Sequence, residues 1–427
     1  MTISTPSTIE VVENGATSAA TKMTEDTPYL SLSRSTLFQN LDQYKYWHRM
    51  APMLSKMLAD GEYSVHRQYE YMSVFAHYVI PKLGPFPDRK DLYKCVLGGT
   101  GSLEFSQNFQ SDGSTVRLAF EPTSYLASTG GDPFNRHMAD ATLAQLKALG
   151  VGLNLHLHRM LSNELTLTDS EEQLVSQEDR DQMSLKSQIL LAFDLTRTGI
   201  SVKEYFYPEI KAKVTGRSIA EIIFAAIEKM DKGGRFEASC QSLRSHMQHQ
   251  SITDLYFASC DLVDPLQTRI KVYFAELDVT LAKMTEHWTL SGTVTDEETL
   301  TGLQMLRELW VDLGIVDGMR TMPTRPTEAG DSNTHLPCLL NYEMSPGEPH
   351  PKPKLYYPLT GIPEMTIANA LTAFFQRHNL TNQSAAYISN LKSYYPGENL
   401  DVATDHQAWL SFSYTKKKGP YLTMYYH

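Results

Sequence analysis

The sequence predicts an α+β fold, a closed barrel of ten antiparallel strands ringed by helices and enclosing a polar lumen. Three observations lead to this prediction. Strand-like segments occur in five pairs, each joined by a short turn-rich segment. Amphipathic helical segments lie between the pairs. Polar and apolar side chains alternate within the strands, so that each strand has one polar and one apolar face.

The five strand pairs are five predicted hairpins. Their segments are 102–109 with 115–120, 188–195 with 201–208, 256–263 with 269–274, 338–344 with 353–359, and 408–414 with 420–427. Helical apolar spacing is found at 41–61, around 141–150, and at 218–234, 301–315, 366–379 and 383–395. These helices are the material available to cover the apolar faces of the strands.

Alternation predicts which side chains share a face. In RIKVYF, residues 269–274, two cations and a tyrosine lie on one side of the strand and three apolar residues on the other. One such strand is typical of a solvated sheet, but the pattern recurs along the chain and no protected edge strand is evident, which favours closure with the polar faces inside. The cations of these faces are Arg117, Lys203, Arg269, Lys271 and Lys354. Five cations in one enclosed space predict an anionic ligand.

The whole-chain composition excludes several classes of protein. The formal net charge of −11 argues against a surface built for nucleic acid or anionic lipid. The four cysteines lack metal-ligand or disulfide-framework spacing, which favours a reducing, cytoplasmic location. No apolar segment is long enough to span a membrane. Residues 1–27 are polar and rich in Ser and Thr, so we expect a disordered tail there and a single domain over 28–427.

Several ordered motifs resemble one known family. LEFSQNF, VRLAFEP, VKEYFYP, TRIKVYF, KPKLYYPL and SFSYTKKKGPYLTMYYH are similar to motifs of fungal aromatic (indole) prenyltransferases of the dimethylallyltryptophan synthase family. The resemblance covers residues 28–427. It implies the ABBA barrel, ten antiparallel strands ringed by helices. It also implies transfer of a dimethylallyl group from dimethylallyl diphosphate to an aromatic ring, by a monomer or homodimer.

The resemblance also implies roles for individual residues. The five lumen cations would bind the diphosphate. The residues that resemble the family's tyrosine shield, which protects the allylic cation, are Tyr205, Tyr273, Tyr356 and Tyr425. Glu104 resembles the carboxylate that accepts the hydrogen bond of an indole N–H, and Lys186 is the nearest candidate for the base that removes the ring proton. The residues expected to line the acceptor pocket are Val96, Gln188, Leu190 and Trp409.

No metal or other cofactor is expected. The chain contains no Asp-rich DDxxD run, which would otherwise supply ligands for Mg²⁺ bridged to a prenyl diphosphate. His156 and His158 have a spacing that could bind a metal on a strand, but no third ligand is nearby. The lumen cations are therefore expected to neutralise the leaving group by themselves.

Departures from the family pattern bear on the acceptor. Lys354 stands where family members often have Gln, and Trp409 stands where many have tyrosine. No arginine occurs near Thr415, and its absence weakens the case for free tryptophan as acceptor. We therefore expect an indole within a tryptophan-containing cyclic dipeptide or a related alkaloid intermediate.

Alternatives remain open at this point. Within the same class, the acceptor could be free tryptophan, a tyrosine or a xanthone-like phenol. A non-catalytic carrier of prenyl diphosphate would need the cations but not Glu104. Lysines and tyrosines interleaved on strands also occur in platforms for single-stranded RNA, but the acidic net charge and the lack of a glycine-aromatic RNA signature argue against that function.

Overall fold

The computed structural model describes residues 27–89, 95–97, 101–176, 178, 186–321 and 336–427. Ten strands form a closed barrel, and two short strands pair separately. The barrel strands are β1 (Leu103–Gln110), β2 (Gly113–Phe120), β3 (Ile189–Leu195), β4 (Ile200–Phe206), β5 (Phe257–Asp261), β6 (Ile270–Glu276), β9 (Cys338–Met344), β10 (Lys352–Pro358), β11 (Gln407–Thr415) and β12 (Gly419–Tyr426). The separate pair consists of β7 (Asp278–Val279) and β8 (Gly318–Met319).

Helices connect and surround the hairpins. In chain order they are α1 (Pro28–Ser33), α2 (Leu41–Asp60), α3 (Val65–Val74), α4 (Tyr125–Thr129), α5 (His137–Ala148), α6 (Leu155–Leu165), α7 (Asp169–Glu172), α8 (Glu209–Thr215), α9 (Ile219–Met230), α10 (Glu237–His249), α11 (Leu281–Trp288), α12 (Glu297–Asp312), α13 (Glu364–Arg377) and α14 (Thr381–Tyr394). A π-helical turn at Phe75–Val79 and 3₁₀ turns at Ile80–Lys82 and Pro87–Arg89 follow α3.

The barrel confirms the predicted fold class. Its strands are ordered β1-β12-β11-β10-β9-β6-β5-β4-β3-β2, and β2 pairs with β1 to close the ring. Every pairing is antiparallel, and the five predicted hairpins are present as β1–β2, β3–β4, β5–β6, β9–β10 and β11–β12. The first and last hairpins meet where Ser106 of β1 lies opposite Tyr425 of β12. Closure removes the unpaired edges that an open sheet would expose.

The apolar faces of the strands point outward and form the main core with the helices. Phe105 of β1 packs against Phe75, with ring centroids 5.8 Å apart. Phe412 of β11 stacks on Trp288 at the end of α11, with centroids 5.6 Å apart. Full burial of one such side chain stabilises the fold by about 1.5–3 kcal/mol. Because this face of the sheet is covered, the polar face is left to line the lumen.

Local signals decide where several helices begin. The capping box predicted at Ser218 is present, since its hydroxyl accepts from Glu221 N at 3.1 Å and the Glu221 carboxylate accepts from Ser218 N at 3.0 Å. The helix predicted at 301–315 begins earlier, at Glu297, where Asp296 caps it by accepting from Thr299 N at 2.8 Å. Its first turn is acidic and solvated, so apolar periodicity does not reveal it.

The segment containing His156 and His158 is helical rather than extended, because Asn154 caps α6 by accepting from Leu157 N at 3.0 Å. His158 is buried outside the barrel, where its Nδ1 lies 2.8 Å from Glu204 Oε1. Burial by itself would lower the pKa of His158, but its hydrogen bonds to Asp140 and Glu204 raise it to about 9. These ion pairs explain how the charged residue Glu204 can be buried on the outer, otherwise apolar side of β4.

The predicted tail over 1–27 falls outside the described residues, apart from Thr27. The Thr27 hydroxyl accepts a hydrogen bond from Leu30 N at 3.3 Å and so caps α1. No helix within the described ranges has both the length and the apolar character needed to cross a membrane.

Candidate active site

A layer of charged side chains crosses the lumen. The register between neighbouring strands places a carboxylate opposite three of the five predicted cations. The opposed pairs are Arg117 with Asp194, Lys203 with Asp261, and Lys271 with Glu343. Directly opposed residues on one face of a sheet have Cβ atoms about 4.5–5.5 Å apart, close enough for ion pairs.

Asp194 joins two of the cations. Arg117 Nε lies 2.9 Å from Asp194 Oδ1, and Lys203 Nζ bonds Asp194 Oδ2. Burial raises the pKa of Asp194, but Arg117 and Lys203 outweigh that effect and hold it well below its ordinary value. Burial lowers the pKa of Lys203 to about 8, despite the opposing effect of Asp194. Lys203 therefore holds its proton less firmly than an exposed lysine.

Arg269 and Lys271 share the other two carboxylates. Arg269 Nε donates to Asp261 Oδ2 at 2.7 Å, and its Nη1 lies 3.2 Å from both oxygens of Glu343. Lys271 Nζ lies 3.6 Å from Glu343 Oε2. Burial raises the pKa of Glu343, but Lys271 and Arg269 together bring it down to about 2. This carboxylate is therefore ionised at neutral pH.

Lys354 is the least neutralised cation of the layer. Its cross-strand partner is Asn341, and within the described ranges it forms no hydrogen bond or ion pair. Its Nζ lies 4.7 Å from the centroid of the Tyr421 ring, whose hydroxyl accepts a hydrogen bond from Arg117. Burial lowers the pKa of Lys354 to about 8. Burial raises the pKa of Tyr421, but Arg117 and Lys354 lower it below its ordinary value.

Sequence analysis missed Asp194, Asp261 and Glu343. Alternation alone places Asp194 on the polar face of β3, so part of the signal was available. Its pairing with Arg117 joins strands of two different hairpins, and the sequence does not state which hairpins are neighbours. Tyr421, whose hydroxyl accepts a hydrogen bond from Arg117, was likewise not predicted as a site residue.

The four predicted shield tyrosines form one continuous arc in the next layer of the lumen. Ring centroids are separated by 6.1 Å between Tyr205 and Tyr273, 6.3 Å between Tyr273 and Tyr356, and 5.9 Å between Tyr356 and Tyr425. Phe257, which sequence analysis missed, stacks on Tyr273 at 4.1 Å. Alternation positions this arc directly beside the charged layer.

The spacing of the two layers follows from the strands. Lys203 precedes Tyr205 by two residues, and the same spacing separates Lys271 from Tyr273 and Lys354 from Tyr356. Two residues of a strand span about 6.6–6.8 Å. A group bound at the cations therefore has the tyrosine rings as its immediate neighbours along the lumen.

Glu104 lies on the polar face of β1 and is 8 % exposed. Its Oε1 lies 2.8 Å from Nε2 of His427, which directly follows β12. His427 was not predicted as a site residue. Glu104 precedes Ser106, the cross-strand partner of Tyr425, by two residues and so lies on the same face of β1. The carboxylate therefore lies near the tyrosine arc.

The predicted acceptor residues differ in their surroundings. Leu190 is opposite Tyr205, and Trp409 is opposite Tyr425 next to a register shift in β11. Val96 N donates to Glu121 Oε2 at 3.4 Å. The strand register therefore places Leu190 and Trp409 beside the tyrosine arc.

Gln188 and Lys186 precede β3. The Gln188 amide accepts from Leu167 N at 2.8 Å and donates to Phe134 O at 3.0 Å, so it fastens neighbouring loops. Lys186 is half-buried and forms no hydrogen bond or ion pair with any residue the structure describes.

Two buried polar atoms of the lumen lack protein partners. Asn341 Oδ1 and Ser411 Oγ have no hydrogen-bond partner among the described residues. Both residues adjoin Tyr356, since Asn341 Nδ2 donates to its hydroxyl at 3.0 Å and Ser411 is its cross-strand partner. Buried polar atoms are normally paired, so this part of the lumen is suited to a ligand.

The described residues contain no group of three or more side chains suited to hold a metal ion. Asp194, Asp261 and Glu343 are each engaged by a lumen cation. Their charges are therefore directed at protein cations, a donor set that does not fit a divalent metal.

A closed antiparallel barrel that surrounds layers of cations and tyrosines defines the class of barrel-shaped aromatic prenyltransferases. Residues 42–390 match the family described as tryptophan dimethylallyltransferase, and the chain belongs to that family. It is therefore a prenyltransferase.

Individual relatives cover almost the whole chain. A roquefortine prenyltransferase from Penicillium rubens is 60 % identical over 403 residues, 94 % of this chain and 95 % of that protein. The crystal structure of AnaPT from Neosartorya fischeri superposes with a TM-score of 0.83 at 32 % identity, covering 94 % of this chain and 97 % of that one. The crystal structure of NotF in complex with brevianamide F and DMSPP superposes with a TM-score of 0.82 at 30 % identity, covering 94 % and 98 %.

Proposed function

We propose that this chain transfers a dimethylallyl group from dimethylallyl diphosphate to the indole ring of a tryptophan-derived acceptor. The acceptor would be a tryptophan-containing cyclic dipeptide or a related indole alkaloid intermediate. The proposal rests on the arrangement of layers in the barrel lumen. A layer of cations lies beside the layer of tyrosines, and a buried carboxylate, Glu104, lies near the tyrosines. The relative named for roquefortine and the neighbour crystallised with brevianamide F support an indole acceptor.

In the proposed mechanism, the charged layer binds the diphosphate. The ligands are Arg117, Lys203, Arg269, Lys271 and Lys354. When all of these groups are ionised, the five cations carry five positive charges. The carboxylates Asp194, Asp261 and Glu343 neutralise three of them, so a net charge of two remains to bind an anion. The guanidinium groups offer bidentate hydrogen bonds to phosphate oxygens. A bound diphosphate also favours the protonated forms of Lys203 and Lys354, so the site gains positive charge as it fills.

Breaking the allylic C–O bond releases diphosphate and leaves a delocalised cation at the tyrosine arc. The π face of each ring attracts such a cation by about 0.5–2 kcal/mol. The rings of Tyr205, Tyr273, Tyr356 and Tyr425 also exclude water, which would otherwise trap the cation as an alcohol.

The indole then attacks the cation. Glu104 accepts the hydrogen bond of the indole N–H and so raises the electron density of the ring. Leu190 and Trp409, with Val96 and Gln188 nearby, surround the acceptor. The neutral amine form of Lys186 is the proposed acceptor of the proton that the ring loses after the new C–C bond has formed, and it becomes an ammonium in that step.

No metal ion is needed in this mechanism, because the lumen cations supply the charge that Mg²⁺ would contribute. We also propose a reducing, cytoplasmic location. Cys240, Cys260 and Cys338 are buried free thiols, which fits such a compartment.

The test is incubation with dimethylallyl diphosphate and a panel of acceptors: tryptophan, tryptophan-containing cyclic dipeptides, tyrosine and a xanthone, followed by mass and regiochemical analysis. We expect a monoprenylated indole product and the highest kcat/KM for a cyclic dipeptide. A higher kcat/KM for free tryptophan would contradict the acceptor assignment. Diphosphate binding without turnover of any acceptor would favour the alternative function of a non-catalytic carrier of prenyl diphosphate.

A further inference from the structure

The carboxylate of Glu104 has one hydrogen-bond partner among the residues that the structure describes, the imidazole of His427. Glu104 Oε1 and His427 Nε2 are 2.8 Å apart. An ionised carboxylate can accept hydrogen bonds at both oxygens. With Oε1 engaged, Oε2 is left for a ligand in the lumen.

The imidazole is attached to a fixed segment of backbone. His427 N donates to His406 O at 2.8 Å, and Tyr395 Oη donates to His427 O at 3.1 Å. The Tyr395 and His406 rings stack with centroids 4.1 Å apart. His406 N in turn donates at 2.7 Å to Glu364, a fully buried carboxylate. This chain of contacts holds the His427 backbone against the end of the barrel.

We propose that His427 is a positioning residue for the reaction: its Nε2–H donates to Glu104 Oε1 and so directs Oε2 toward the indole N–H of the acceptor. The inference rests on the proposed role of Glu104. A carboxylate on a flexible glutamate samples several rotamers, and each rotamer aims its oxygens differently. A hydrogen bond from a fixed ring removes this freedom before the acceptor binds.

The contact is suited to this task because it engages the carboxylate without being part of the diphosphate site. The four cations of the charged layer that form ion pairs contact Asp194, Asp261 and Glu343 rather than Glu104. Loss of the imidazole donor is therefore expected to affect acceptor turnover and to leave diphosphate binding unchanged.

The experiment compares three variants at His427. His427→Phe keeps a planar ring but loses the donor, and His427→Asn keeps polarity but is too short to reach Glu104. His427→Gln retains an N–H at about the reach of Nε2. We expect His427→Phe and His427→Asn to lower kcat about 10- to 100-fold, the range typical when a residue that orients a ligand group is removed. His427→Gln should retain most of the wild-type activity, and pyrophosphate affinity should stay at the wild-type value in all three variants.

A double-mutant cycle with Glu104→Gln separates positioning from a general structural effect. If His427 acts through Glu104, adding His427→Phe to Glu104→Gln changes kcat by less than about twofold. Two multiplicative losses in the double variant would overturn the proposal, as would a His427→Gln activity no higher than that of His427→Phe. Wild-type kcat in a folded His427→Phe or His427→Asn would overturn it as well. Glu104→Gln alone tests the proposed function, so a loss there with active His427 variants contradicts only the positioning role.

Discussion

At the residue scale, Glu104 is the side chain whose charge the proposed chemistry uses most directly. Glu104→Gln keeps the shape and a carbonyl oxygen but removes the charge that strengthens the hydrogen bond as the ring becomes positive. We expect kcat to fall about 10²- to 10³-fold, about 3 to 4 kcal/mol, as when one preorganised electrostatic contact is removed. Steady-state kinetics with the preferred cyclic dipeptide measures this effect.

The control for Glu104→Gln is a variant of the charged layer. Arg269→Ala or Lys203→Ala should weaken pyrophosphate binding as well as turnover, whereas Glu104→Gln should leave that binding unchanged. A folded Glu104→Gln protein with near wild-type kcat would show that Glu104 does not anchor the indole and would favour a phenolic acceptor.

The two lysines with lowered pKa predict the pH dependence of diphosphate capture. Burial lowers the pKa of both Lys203 and Lys354 to about 8, so each ammonium is present below pH 8 and is lost as the pH rises through 8. We expect kcat/KM for dimethylallyl diphosphate to fall between pH 7 and about pH 9. Lys354→Gln should lower kcat/KM at pH 7 and make the remaining fall shallower. A flat profile in the wild type over this range would contradict the prediction.

At the element scale, the helix α12 lies close to its neighbours because Gly302 has no side chain. A Cβ at this position would lie 2.8 Å from Trp288 Cζ2 and 3.0 Å from Tyr414 Cβ. Gly302→Ala gains at most about 1 kcal/mol of helix propensity, but overpacking costs about 1–3 kcal/mol. We expect a net loss in the free energy of unfolding, measured by chemical denaturation.

Gln304→Ala on an exposed position of the same helix is the matched control for Gly302→Ala. It should change the free energy of unfolding by no more than about 0.5 kcal/mol. Equal stability of the two variants would mean that α12 shifts away from Trp288 at little cost.

The individual elements also show which structural features local sequence patterns predict. Alternation correctly grouped Arg117 with the other inward cations, because side-chain direction in a strand depends only on residue number. The spacing of His156 and His158 was interpreted as that of a strand, and this was wrong, because a short apolar run fits a helix as well as a strand. In the structure, the side chain of Asn154 caps the N-terminus of this segment, which stabilises it as a helix.

At the scale of the whole molecule, the proposed mechanism uses the positive charge of the lumen in place of a metal ion. The proposed ligands of the diphosphate are five protein cations, and no Asp-rich run is present in the chain. We therefore expect turnover to persist in excess EDTA. The measurement is product formation after treatment with the chelator, with and without added Mg²⁺. Complete loss of activity on chelation, restored by Mg²⁺, would contradict the metal-free mechanism.

The sequence by itself determined the number of hairpins, the face on which each side chain lies, and hence the polar lumen with its cations, tyrosines and Glu104. These features depend on periods of two and about 3.6 residues, which are local. Only the tertiary structure decided which strands are neighbours and in what register. Asp194 beside Arg117 and His427 beside Glu104 are contacts between residues 77 and 323 positions apart. Such contacts arise when the barrel closes, because register across hairpins depends on the packing of the whole ring.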